Sequence, residues 1–172
     1  MKVTRQGVFE TNSSSTHSIC IAKGNALILP EVIHFGMGEF GREERTLRSV
    51  GTKASYLFTG LVCNNRMEDF EKIRSILESR GIKVSSEEIT FETRQYKNSK
   101  GEMVSYQYQI NDGYVDHANE MVDFLNAVCS DEDKLMQYLF SDLSFIRTGN
   151  DNNDSDISIN VSYPYDRYYK GN

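Results

Sequence analysis

The sequence predicts an α+β fold: a small mixed or antiparallel sheet, a central hairpin and about four helices. Three observations carry that prediction. Apolar residues recur at helical spacing in two blocks, one after Thr52 and one after Asp116. Alternation with period two comes before, between and after these blocks. The order of elements is not a regular βαβα series, which disfavours a doubly wound parallel sheet.

The elements follow in order. Val3–Phe9 and Ser18–Ala22 read as strands flanking a polar loop, Glu10–Thr16. Ala26–Leu29 and Val32–Phe35 are short apolar runs split by Pro30, as in edge strands. Gly36, Gly38 and Gly41 mark a loop. Thr52 is positioned to cap a helix with Ala54, Leu57, Phe58 and Leu61 on one face. A second helix starts near Met67, carries Phe70, Ile73 and Leu77 inward, and ends at Gly81, where glycine accepts a left-handed conformation. Ile89, Phe91 and Thr93, then Tyr106, Tyr108 and Ile110, alternate around Asn98-Ser99-Lys100-Gly101, a hairpin signal. A third helix is expected from Asp116 as N-cap, with Ala118, Met121, Val122 and Leu125 as its stripe. A fourth follows Ser130, with Leu135, Met136, Leu139 and Phe140 inward and Asp131 and Asp133 complementing the helix dipole. Ile157, Ile159, Val161 and Tyr163 read as a last strand, before a loosely held tyrosine-rich tail. The expected organisation is one domain over 1–163 and a polar tail over 164–172.

A chain of 172 residues with 38% hydrophobic content can bury a core without staples. Its formal charge of −6 argues against a protein that coats nucleic acid, which needs a basic surplus, though a local basic groove stays open. No apolar run approaches the roughly 18 residues of a membrane span, and the first residues lack a secretory h-region, so a cytoplasmic location is expected. Cys20, Cys63 and Cys129 form no C-x-x-C pair and sit among apolar neighbours, so they read as small buried hydrophobes.

The most unusual stretch is Arg5–Ser18. Thr11–His17 is an unbroken run of seven hydrogen-bonding side chains. Asn12, Ser13, Ser14 and Ser15, with Glu10 beside them, can present hydroxyls and backbone N–H groups to an anion, and Arg5 can add a fork suited to phosphate. Such a run can equally fold into turns bonded to their own backbone, and it lacks the glycines and lysine of a P-loop. His17 closes the run. His34 reads as a half-buried strand residue. His117 follows Asp116 and can act as a general acid or base, because imidazole titrates near neutral pH. Arg147–Asp156 reads as a solvated turn; Asn150 and Asp151 are its candidates for a sugar or a cation. Its acidic spacing has no closing Glu, which rejects a calcium loop. No zinc-ligand spacing occurs, and no G-x-S-x-G elbow selects a serine for a triad. No metal or particular cofactor is therefore indicated.

Arg5-x-Gly7-x-Phe9-Glu10-Thr11-Asn12-Ser13-Ser14-Ser15-x-His17-Ser18 resembles the opening of a family of small uncharacterised proteins of bacteria and their phages. Gly38-Glu39-Phe40-Gly41-x-Glu43, Thr52–Leu57, Tyr114-x-Asp116-His117, and the stretch from Leu139-Phe140 to Thr148–Asn152 look similar to that family too. The resemblance implies a phage or mobile-element origin and hands over no catalytic assignment. Polar segments of this kind fit function better than core packing. The expected function is a pocket for a phosphate-bearing ligand of the nucleotide kind, with His17, His117 and Asp116 as acid–base groups for hydrolysis or transfer. The alternative is an anti-defence inhibitor that binds a host defence protein through exposed tyrosines such as Tyr165, Tyr168 and Tyr169.

Overall fold

The computed structural model describes residues 15–24, 27–41, 43–150 and 161–170. Strands β1 (Ser15–Ala22), β2 (Val32–Phe35), β3 (Glu39–Phe40) and β4 (Arg45–Leu47) come first, then helices α1 (Val50–Cys63) and α2 (Met67–Ser79). Strands β5 (Lys83–Ser86), β6 (Phe91–Lys97), β7 (Met103–Gln109) and β8 (Tyr114–Val115) follow. A short 3-10 turn (Ala118–Met121) leads into α3 (Val122–Ser130) and α4 (Glu132–Phe140), and strands β9 (Phe145–Asn150) and β10 (Tyr165–Lys170) close the fold. The α+β class is as the sequence predicts.

One four-stranded antiparallel sheet, in the order β10-β1-β9-β4, organises the molecule. Three two-stranded sheets surround it: β2-β5 and β3-β8, both parallel, and the antiparallel β6-β7 hairpin. As an inner strand of the large sheet, β1 is buried along its whole length. Ile19 and Ile21 face the main core, while Cys20 and Ala22 pack with Phe145 in a second cluster. The main core is built on α1, whose Ala54, Leu57, Phe58 and Leu61 are fully buried. Phe58 meets Phe70 of α2 edge to face at 4.8 Å, and Phe35 of β2 joins the same aromatic group.

Helix ends explain two boundaries. Ser49, rather than Thr52, caps α1: its hydroxyl accepts the Thr52 N–H at 3.1 Å, satisfying a donor the helix leaves open. Thr52 lies inside the first turn and donates its own hydroxyl to the Ser49 carbonyl. At the end of α2, Gly81 takes φ +82° and donates to the Glu78 carbonyl, while Ile82 donates to Leu77. This is the Schellman arrangement, and the buried Leu77 and Ile82 supply its apolar contact.

Several expectations are corrected. Ser15 and Thr16 belong to β1, not to a loop. Leu27–Leu29 forms no strand. Arg147–Asn150 lies within β9 instead of a solvated turn, because Phe145 and Ile146 anchor that strand in the two clusters. The tyrosine-rich tail is strand β10, paired with β1 from Ala22–Tyr165 to His17–Lys170. Val161 and Tyr163, expected in the last strand, precede it and cover Cys20 and Phe145. Val122 is exposed at the start of α3 and does not share the buried stripe of Met121 and Leu125. Cys63 is exposed and Cys129 half-buried, so Cys20 alone of the three matches the buried reading. His34 is exposed on β2 and shares a hydrogen bond with Ser85 across the ladder. Val3–Phe9, Ala26, Ile157 and Ile159 lie outside the described residues. No helix among the described residues is long and apolar enough to cross a membrane.

Candidate functional site

Along one face of the large sheet, chemistry changes from apolar to polar. Directly opposed residues share a face. Ile19 lies opposite Ile146, and Ile146 opposite Leu47, which gives an apolar row. Two residues further on, His17 lies opposite Thr148, and Thr148 opposite Arg45. Ser15 then lies opposite Asn150. The same strand parity that sends Ile19 and Ile21 into the core therefore sends His17 and Ser15 toward α1 and β8.

His17 is fully buried. Its Nδ1 lies 2.8 Å from the Tyr56 hydroxyl of α1 and its Nε2 3.4 Å from the Gly41 carbonyl. A carbonyl only accepts, so the neutral ring with its proton on Nε2 satisfies both contacts, with the Tyr56 O–H donating to Nδ1. Burial pushes the Tyr56 hydroxyl far above the ordinary phenol range, which keeps it a donor. Phe40 packs edge-on against Tyr56 at 5.0 Å and completes the wall.

Asp116 reaches this end from β8. Its backbone N–H donates to the Phe40 carbonyl at 2.9 Å, and its carboxylate accepts the Ser15 N–H at 3.2 Å. Asp116 is thus not a helix N-cap. His117, at φ +52°, precedes the 3-10 turn, and no side chain caps that turn. The imidazole of His117 is half-exposed, with Nδ1 3.3 Å from Glu120 and Nε2 3.8 Å from Asp116. A non-glycine residue held at positive φ is strained, and such strain collects at functional positions.

A cleft of about 120 Å³ opens beside these groups, lined by Phe40, Gly41, Glu43, Arg45, Tyr114 and Thr148 among others. The Thr148 hydroxyl donates to the Glu43 carbonyl at 2.5 Å and fixes the loop after β3. Arg45 pairs with Glu43, and both are well exposed. An exposed pair of this kind contributes about 0–1 kcal/mol, so an anionic ligand can compete for the guanidinium. Tyr114 stands half-exposed at the rim.

Of the residues singled out in the sequence, Ser15, His17, Asp116 and Asn150 are brought to one end of the sheet, with His117 next to Asp116. Arg5, Glu10, Asn12, Ser13, Ser14 and Asp151 lie outside the described residues. Sequence reasoning missed Tyr56, Gly41, Arg45, Tyr114 and Thr148. Tyr56 adjoins Leu57 on an apolar helix and reads as core; the parity of His17 with Ile19 was the signal that the imidazole needed an inward partner. Lys53 was missed too. It is buried on α1 and donates to the carbonyls of Ser141 at 2.8 Å and Ser144 at 3.4 Å, beyond the end of α4. Burial lowers its pKa to about 8, against the opposing pull of Asp142. Among the described residues, no three His, Cys, Asp or Glu side chains gather closely enough to hold a metal ion. No family model, curated protein or solved structure matches the chain.

Proposed function

We propose that the polar end of the sheet binds a phosphate-bearing ligand of the nucleotide class. The observation that carries this reading is the convergence of three distant stretches: Ser15 pairs with Asn150 and donates its N–H to Asp116. The cleft beside them supplies a planar cation in Arg45 and an aromatic face in Tyr114, while the Thr148 hydroxyl, committed to the Glu43 carbonyl, holds its wall. Arg45 meets the phosphate, and Tyr114 gives a base a surface to stack on. The enclosed volume suits one phosphate group, with the remainder of the ligand lying over the rim.

If the site turns its ligand over by hydrolysis or group transfer, His117 is the group placed to move a proton, since it is accessible and flanked by two carboxylates. His17 has a different part. It is buried and holds the Gly41 wall of the cleft. The phage or mobile-element origin implied by the opening motif belongs to the same proposal. The rival reading, an inhibitor of a host defence protein acting through Tyr165 and Tyr168, is less well supported. Tyr168 is half-buried, with its ring 6.0 Å from Phe124 and its hydroxyl on Lys134.

A thermal-shift screen with nucleoside mono-, di- and triphosphates, and with inorganic phosphate, tests the proposal. Ligand in hundredfold excess over Kd adds about 2.7 kcal/mol to apparent stability. A saturable upward shift in the wild type that Arg45→Ala removes is the expected result. Absence of a shift with every phosphate compound refutes the reading.

A further inference from the structure

We infer that the β6–β7 hairpin is a binding surface for single-stranded nucleic acid. Its two strands pair with no other strand among the described residues, and its side chains are largely exposed. The register places Glu92 opposite Tyr108, Arg94 opposite Tyr106 and Tyr96 opposite Val104, so three tyrosines and an arginine share one face. Tyr96 and Tyr106 meet edge to face at 5.7 Å, and the Arg94 guanidinium lies 3.4 Å over the Tyr108 ring. These tyrosines are 41–52% exposed.

Charge favours the same partner. Arg94, Lys97 and Lys100 outnumber Glu92 and Glu102, so the hairpin is net positive on a chain whose formal charge is −6. Glu92 is paired with Arg94, and Glu102 accepts the Asn98 amide. Lys97, on the opposite face beside Met103, and Lys100, in the turn, make no ion pair among the described residues, which leaves two cations around the tip for phosphates. Unpaired bases stack on exposed aromatic rings and on guanidinium planes, and that interaction tolerates any base sequence. Tyr106 and Tyr108 are two residues apart on one strand, about 7 Å, roughly twice the 3.4 Å spacing of stacked bases. Protein hot spots also use Tyr and Arg, but packed around a fully desolvated centre. The more apolar Phe91 and Met103 lie on the opposite face and at opposite ends of it.

Fluorescence anisotropy of the full chain with labelled oligo(dT) and oligo(rU), and with a duplex of equal length, decides the matter. Both single strands are expected to bind and to weaken as salt rises from about 50 to about 200 mM. The Tyr106→Ala/Tyr108→Ala variant is expected to lose about tenfold or more in affinity, and Tyr106→Phe/Tyr108→Phe to retain it, because stacking needs the ring. Lys97→Glu/Lys100→Glu should make binding less salt-dependent. All these positions are exposed, so an unchanged melting temperature separates lost binding from lost fold. No binding at about 100 µM protein and low salt, equal binding of duplex, or indifference to the tyrosine variants would overturn the inference. So would capture of a protein from nuclease-treated lysate by this face when the oligonucleotides do not bind.

Discussion

The His17–Tyr56 pair shows what a single hydrogen bond does in this fold. Both residues are fully buried, so neither has water to fall back on. Tyr56→Phe keeps the ring and leaves Nδ1 without its donor. An unsatisfied buried group costs about 1–3 kcal/mol, and urea denaturation of this variant should show a loss of that size. A change within about 0.5 kcal/mol, the size usual for surface substitutions, would mean the pair is not the anchor described. Lys53 makes a prediction with a sign. Its folded pKa of about 8 lies below the ordinary lysine value of 10.5, so between these values the unfolded chain holds a proton that the folded chain has lost. Stability therefore rises with pH through that window. Cys20 and Cys129 act in the opposite sense above pH 9, since burial raises each thiol from 9.0 to about 11. The rise should thus be clearest from pH 8 to 9, and Lys53→Met should abolish it; an equal slope in the variant would assign the effect elsewhere. None of this was visible at Lys53 in the sequence. A lysine flanked by Thr52 and Ala54 gives no sign that it will meet the carbonyls of Ser141 and Ser144, 88 and 91 residues away.

Among the elements, helices were the more legible because their signals are local. Phe70, Ile73 and Leu77 with Gly81 specify α2 from end to end. The Asn98–Gly101 turn likewise marks the hairpin, with Gly101 at φ +85°. The strands of the large sheet were harder to read, because their partners are remote. Arg147-Thr148-Gly149-Asn150 is polar enough to pass for a turn, and only its pairing with Ser15–Ser18 and Arg45–Thr46 makes it strand. Residues 165–170 were obscured in the same way, although Tyr168 packs onto Phe124. That strand is an integral cover of β1. A chain truncated after Pro164 should unfold at markedly lower denaturant or aggregate, because it opens a long edge of β1 beside buried Ile19 and Ile21. A melting temperature equal to that of the full chain would show that β10 is dispensable. The capping correction is checked the same way: Ser49→Ala should cost about 0.5–2 kcal/mol, since it removes the acceptor for the Thr52 N–H.

At the scale of the molecule, one strand joins core and site. Ile19 and Ile21 fix β1 against the helices, and the same pleat delivers His17 and Ser15 to the polar end. The candidate site was legible as far as Ser15, His17, Asp116 and Asn150, because runs of short polar groups and an Asp-His pair stand out in a chain of this composition. The cleft itself was not. Gly41 and Arg45, Tyr114, and Thr148 come from three separate stretches, and each alone reads as ordinary loop or strand. Isothermal titration of a nucleoside triphosphate into the wild type and into Arg45→Ala/Thr148→Val tests the central claim most directly. Saturable binding by the wild type, weakened at least about tenfold in the folded variant, is the expected result; a tenfold change corresponds to about 1.4 kcal/mol. Undiminished binding by the variant would place the ligand elsewhere, and no heat from the wild type would contradict the account.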